Sequence, residues 1–297
     1  MLYLILSILF SVLLLVNFRI FPTYGINTWQ AICLNYIVCF LTGLVLLPEG
    51  QKFMLDLSQN WTWYCLLLGL GFIITFILSG LSTQKSGILP TSLANNLSLI
   101  IPVGVSMGIL HTSAKVFDLS NYTGILLALI AIALITFNKK QAADADYTYW
   151  YLPLGVFVFY GITNTAINVL NLYYIPNPEL TIPVTLIMVL GAAISGLVVL
   201  TFRGLKHKEP LLLKNMVAAV SLGIPNFLSF YMLLLALSSF GNDGAFVYPF
   251  YNIGLIVIST LVAVLFFKEK LSKVNTWGLI LGICSLLLLS HQELNLW

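Results

Sequence analysis

Residues 62–82 read TWYCLLLGLGFIITFILSGLS, twenty-one residues without a single charge. At 1.5 Å rise per residue a helix of this length covers roughly 30 Å, the thickness of a bilayer's hydrocarbon core. Nine more apolar stretches flank it, at 1–18, 27–47, 90–110, 119–137, 149–170, 180–202, 212–237, 244–267 and 274–290. Lipid offers a backbone no hydrogen-bond partner, so each span is expected to be a helix.

Composition agrees with that reading. The 297 residues are 60% hydrophobic and 8% charged, with mean hydropathy +1.00. Soluble domains carry about 25% charged residues. Residues 1–18 lack a basic leading segment and a small-residue cleavage site, so a retained first helix is expected, not a signal peptide. No stretch remains for a domain outside the membrane, and function is expected within it. The net charge of +3 comes without an aromatic-laced basic patch, so no nucleic acid is expected as partner. Cys33, Cys39, Cys65 and Cys284 fall inside apolar spans and read as small hydrophobes. No His/Cys pattern has zinc spacing, so neither metal nor cofactor is expected.

Turn chemistry separates the spans, as at Phe21-Pro22-Thr23-Tyr24-Gly25, Pro48-Glu49-Gly50, Pro176-Asn177-Pro178 and Gly241-Asn242-Asp243-Gly244. The longest polar connection, Asn138 to Thr148, divides the chain into halves at 1–140 and 141–297. The halves echo each other. Gly43-Leu44-Val45 matches Gly196-Leu197-Val198, and Leu81-Ser82 resembles Leu237-Ser238. Lys115 precedes Gly124 by nine residues, as Glu269 precedes Gly278. Five spans per half is an odd number, so two similar halves are expected to be inverted relative to each other. Of the thirteen Lys and Arg residues, Lys52 and Lys115 lie on the side of the termini and eleven on the other, among them Arg19, Lys85, Arg203 and Lys268. The positive-inside rule then places both termini outside the cytoplasm, in a multi-pass inner or plasma membrane protein.

Asn252 to Gly278 (NIGLIVISTLVAVLFFKEKLSKVNTWG) carries a family resemblance through Glu269, Leu271 and Gly278. With ten spans in two halves, the chain resembles the EamA-like members of the drug/metabolite transporter superfamily. Pro102 and Gly124 fit the first copy of the pattern, whereas Lys115 stands where the family often has Glu. The resemblance implies a transporter of small metabolites, with a cavity lined by the first, third, fourth, sixth, eighth and ninth helices. Many members of that family have both termini in the cytoplasm, against the charge count here.

Candidate binding groups are polar residues at helical spacing inside the spans. Tyr160, Asn164, Asn168 and Asn171 recur every three or four residues on one face of the sixth span. Such a stripe either lines a cavity or bonds a neighbouring helix. Ser7 and Ser11 hold the aligned positions of the first span. Asn95, Asn96 and Ser98 precede Pro102 in the fourth span; Tyr248, Pro249, Tyr251 and Asn252 sit likewise in the ninth; Pro225 and Asn226 interrupt the eighth. A proline inside a span frees a carbonyl and bends the helix, and paired interruptions near polar groups point to a transporter site. The binding set read this way is Ser11, Asn95, Asn96, Tyr160, Asn164, Asn168, Asn226, Tyr248 and Asn252.

No Asp, Glu, His or Lys lies mid-span, which argues against an embedded enzyme and against proton transfer through a buried carboxylate. Asp243 and Glu179, at span entrances, read as solvated helix-start carboxylates, and His111 as a lone span-end residue. Facilitated diffusion or exchange of a small polar or amphipathic metabolite is expected, by alternating access. A non-transporting scaffold or receptor is the alternative. Gly278 with Gly282, and Gly124 with Ala128, form small-residue faces that serve a dimer or pack the monomer, the monomer being favoured.

Overall fold

The computed structural model describes residues 1–47, 50–105, 118–136, 149–174, 181–241 and 244–292. The Asn138–Thr148 connection, Pro48-Glu49, the Pro176–Pro178 turn, His111, Lys115, Glu179 and Asp243 lie outside them, as does the side chain of Asn171. Eleven α-helices run through the described residues: α1 (Leu2–Ile20), α2 (Thr28–Val45), α3 (Asn60–Lys85), α4 (Ile88–Leu97), α5 (Ile100–Val105), α6 (Leu119–Thr136), α7 (Tyr151–Tyr174), α8 (Thr181–His207), α9 (Leu213–Ser239), α10 (Gly244–Leu265) and α11 (Lys273–Leu289). No strand occurs among the described residues. Among the described residues eight spans are long and apolar enough to cross a membrane; Leu119–Leu134 and Lys273–Leu289 are shorter apolar helices.

The fourth span is the one that breaks. α4 ends at Leu97, Ser98 and Leu99 form a turn, and α5 begins at Ile100. Pro102 causes this, because its ring excludes the carbonyl four residues earlier, that of Ser98, and it has no N–H to offer. The Ser98 carbonyl bonds Ile101 N–H at 3.0 Å instead, and the Ser98 hydroxyl donates to the Asn95 carbonyl. Pro225 and Pro249 are accommodated inside α9 and α10 without a break.

The helices gather into two compact units that do not follow the sequence halves. Unit 1 holds residues 1–19, 78–161 and 228–297; unit 2 holds 20–77 and 162–227. Each therefore takes helices from both halves, and α3, α7 and α9 are divided between them.

In unit 1, α6 packs along α11 and α4 against α10. Leu93, Leu97, Ala128, Ala131, Val156, Ile256 and Leu286 form its main apolar core. The small-residue faces are used internally here. Ser285 donates to the Gly124 carbonyl at 2.7 Å, and a Cβ on Gly282 would press on Leu93 at 3.2 Å. Unit 2 is built on α2 against α8, with Cys65, Val184, Ile187 and Met188 in a core beneath the first half of α3. There α3 and α8 meet backbone to backbone. A Cβ on Gly69 would collide with the Ala192 backbone, and one on Gly191 with the Leu66 carbonyl. Each of these helix pairs, α2 with α8, the α4 span with α10 and α6 with α11, joins a span to the one five places later.

Candidate functional site

The residues expected to bind substrate fall into separate groups. In unit 1 the first span turns its serines inward. Ser7 donates to the Ser229 carbonyl at 2.6 Å, and the Ser11 hydroxyl lies 2.7 Å from that of Tyr251. Tyr251 also reaches Ser7, and Tyr160 lies beside Tyr251 and bonds Ser79. Four helices thus bring hydroxyls to one place, where each satisfies another. Tyr251 holds this position, whereas Tyr248, one turn earlier on α10, is 47% exposed. The one-turn spacing of Tyr248 and Asn252 predicts a shared face, but Asn252 is buried while Tyr248 is exposed, and the hydroxyl cluster forms around Tyr251.

A second chain of bonds ties α4 to α10. Asn96 donates to the Ser92 carbonyl at 2.7 Å, and the Ser259 hydroxyl donates to that of Ser92 at 2.7 Å. Asn95 is half-buried on the neighbouring face of α4, and Asn252 is buried in α10. The sixth-span stripe divides between the units: Tyr160 belongs to unit 1, Asn164 and Asn168 to unit 2. Asn164 is half-buried and Asn168 exposed. Asn226 of α9 donates to Asn35 at 3.0 Å, and Asn35, fully buried, donates to the Ile32 carbonyl. For Asn226, then, the hydrogen-bond partner is another helix of its own unit.

Two glutamates outside the spans make a pattern that residue spacing within spans did not reveal. Lys208 and Lys268, just past α8 and α10, both adopt φ 52°, a left-handed conformation that residues with a Cβ avoid. Each directly precedes a glutamate. The turn at Lys268 bonds Glu269 N–H to the Ala263 carbonyl and aims the carboxylate at the start of α4. There Ile88 N–H donates to Oε1 at 2.8 Å and Leu89 N–H to Oε2 at 3.4 Å, with Arg19 Nε 3.8 Å away. Gly87, at φ 106°, precedes α4 and has no side chain to cap it, so Glu269 supplies the missing acceptor. Burial pushes the Glu269 carboxyl above the usual carboxylate range, against the opposing pull of Ile88 N–H, Arg19 and Leu89 N–H.

Glu209 repeats the design in unit 2. Its Oε2 accepts from Asn27, the N-cap of α2, at 2.9 Å, and its Oε1 accepts from Arg203 at 2.7 Å. Arg203 stacks over Trp29 at 4.5 Å. Asn215 and Gln30 complete the junction, Asn215 donating to Gln30 at 2.6 Å and Gln30 to the Pro210 carbonyl at 3.1 Å. The signal was present in the sequence as Lys-Glu directly after the seventh and ninth spans. Only the fold shows that each glutamate reaches the start of the helix five spans back.

At the start of α6, the Asp118 N–H donates to the Asn121 side chain and the Asn121 N–H to the Asp118 carboxylate, both at 3.1 Å. His291 Nε2 lies 2.7 Å from the Asp118 carboxylate and its Nδ1 2.8 Å from the Leu288 carbonyl. Burial raises the Asp118 carboxyl, but Asn121 N–H, His291 and Gln292 together hold it below its ordinary value. The four cysteines are free thiols, and no His/Cys/Asp/Glu group able to hold a metal occurs among the described residues.

This fold defines an all-helical, many-span membrane protein. No family model matches the chain. It is similar to a Haemophilus influenzae (strain Rd) protein described as uncharacterized, 27% identical over 296 residues and 98% of each chain. A solved crystal structure shares the fold at TM-score 0.57 and 12% identity, over 95% of this chain and 97% of the other.

Proposed function

We propose that this chain is a secondary transporter of a small polar or amphipathic metabolite, built like the EamA-like drug/metabolite transporters as two inverted five-helix repeats. The observation that carries this reading is the broken fourth span. A discontinuous helix inside a membrane must re-route its backbone bonds, as the Ser98 carbonyl does to Ile101 N–H, and is tolerated where it lines a cavity or is covered by protein. Here the break at Ser98–Leu99 adjoins Asn95 and Asn96. The packing of three spans, the second, fourth and fifth, on their counterparts five places later supports the repeat, since helices related by a two-fold axis meet beside it. The hydroxyl cluster of Ser7, Ser11 and Tyr251 supplies neutral donors and acceptors suited to an uncharged or zwitterionic ligand.

In this reading transport proceeds by alternating access, as facilitated diffusion or exchange. The polar groups exchange bonds with one another when the site is empty and with substrate when it is filled. The test is uptake and counterflow of metabolite pools by the purified protein in liposomes. Counterflow that falls at least tenfold in Tyr251→Phe, with thermal stability retained, supports the reading. Absence of any flux across a broad pool returns the chain to a scaffold or receptor role. A companion measurement labels single cysteines at Tyr160, Asn164 and Asn168 with a polar maleimide, after replacement of the four native cysteines. Reaction faster there than at Val158 and Val169 marks a wetted face.

A further inference from the structure

We propose that the corner of unit 1 where α1, α4 and α10 end or begin is a binding site for the phosphate of an anionic phospholipid headgroup. A cavity of about 60 Å³ opens there, lined by Arg19, Lys85, Lys268 and Lys270 with Glu269 as its one acid. The charges do not cancel. Glu269 is engaged by Ile88 N–H, Leu89 N–H and Arg19, and Arg19 also donates to the Gln84 carbonyl at 3.0 Å. The α4 N-terminus is thereby already capped and is not the anion site. What remains is a surplus of three ammonium groups.

None of Lys85, Lys268 and Lys270 forms an ion pair among the described residues. Lys85 sits over the Tyr149 ring at 5.0 Å, which orients the ammonium and leaves its charge in place. Lys268, at φ 52°, forms the turn that carries it and Lys270 to the cavity wall. Ser86 and Asn275 add neutral polar groups to the lining.

The surroundings select a lipid over a soluble phosphate. Leu265 and Phe266, at the end of α10 beside the cavity, are 69% and 76% exposed. In a spanning protein such residues meet acyl chains at the height where headgroups begin. A phospholipid satisfies both features together: phosphate on the lysines, chains along Leu265 and Phe266. The charge count expects this side to be cytoplasmic, the leaflet whose anionic lipids attract basic residues.

Binding is read independently of transport, so this inference and the transporter reading fail separately. The full chain, purified in a neutral detergent, is titrated with short-chain phosphatidylglycerol, short-chain phosphatidylcholine and inorganic phosphate, with thermal stabilisation and native mass spectrometry as readouts. The expected result is saturable stabilisation by phosphatidylglycerol, with phosphatidylcholine and inorganic phosphate much weaker. The triple variant Lys85→Gln/Lys268→Gln/Lys270→Gln is expected to weaken phosphatidylglycerol binding on the order of 100-fold. The control Lys206→Gln/Lys208→Gln/Lys214→Gln, in unit 2, retains it. Should the triple variant misfold, Lys270→Gln alone is expected to weaken binding about fivefold. Equal effects of the two lipids, equal loss in the control, or no loss in Lys270→Gln overturns the site. Inorganic phosphate matching phosphatidylglycerol overturns the lipid assignment.

Discussion

Glu269 receives the backbone N–H of Ile88 at 2.8 Å, across 181 residues of chain, and so caps a helix that has no cap of its own. Replacing it by alanine leaves two N–H groups without an acceptor. Glu269→Ala is expected to destabilise the protein by about 1–2 kcal/mol, and Glu269→Gln, which keeps a carbonyl acceptor, by less. The sign of the pH effect follows from the raised folded value of this carboxyl. Its contribution is complete below the ordinary carboxylate pKa and is lost as pH rises through the raised value. Thermal unfolding from about pH 4 upward should show that loss in wild type and not in Glu269→Gln.

The α3–α8 contact predicts steric intolerance. Gly191→Ala places a methyl where the Leu66 carbonyl stands, and neither backbone can yield without separating the helices. A loss of about 1–3 kcal/mol is expected. Gly204→Ala, which meets nothing within 4 Å, should leave the melting temperature unchanged or slightly raised. Equal effects of the two substitutions would contradict the packing described for unit 2.

The Asp118–His291 pair predicts acid sensitivity confined to the α6–α11 junction. Asp118 is held below its ordinary pKa, so its contribution is complete above the usual carboxylate value and disappears as pH falls through the lower folded value. Hydrogen exchange at the start of α6 and the end of α11 should therefore accelerate first on acidification below about pH 4. Asp118→Asn should show the faster exchange already at neutral pH.

Membrane orientation is predicted from charge. With ten spans, eleven of the thirteen cations are expected on one side, and both termini should then face away from the cytoplasm. A C-terminal alkaline phosphatase fusion should be active and a C-terminal fluorescent-protein fusion dark. The reverse pair of signals would invert the assignment and favour the arrangement common among EamA-like proteins.

The helical class and the places of the spans were legible in the sequence, because lipid imposes one rule on every backbone: about twenty apolar residues, closed on themselves by hydrogen bonds. A bend at Pro102 was legible for the same local reason, since a proline acts on the carbonyl four residues before it, but the same reasoning led to interruptions at Pro225 and Pro249, where α9 and α10 run on unbroken. Partners for polar side chains were a different matter. Nothing in spacing alone shows that Ser11 meets Tyr251 and not Tyr248, or that Asn226 turns to Asn35. Helix rotation chooses among adjacent faces, and rotation is set by packing between distant segments.

Sequence by itself determined that this is a many-span helical protein and roughly where along the chain its spans lie. Those properties follow from solvation and backbone chemistry, which act within a few residues. Only the tertiary structure decided that Glu269 caps α4 and Glu209 holds the Asn27 cap of α2, both across to the other half of the chain, that the compact units draw on both halves, and that three lysines surround one cavity. Those arrangements depend on which helices pack together, a choice made by shape and close contact over more than a hundred residues of chain.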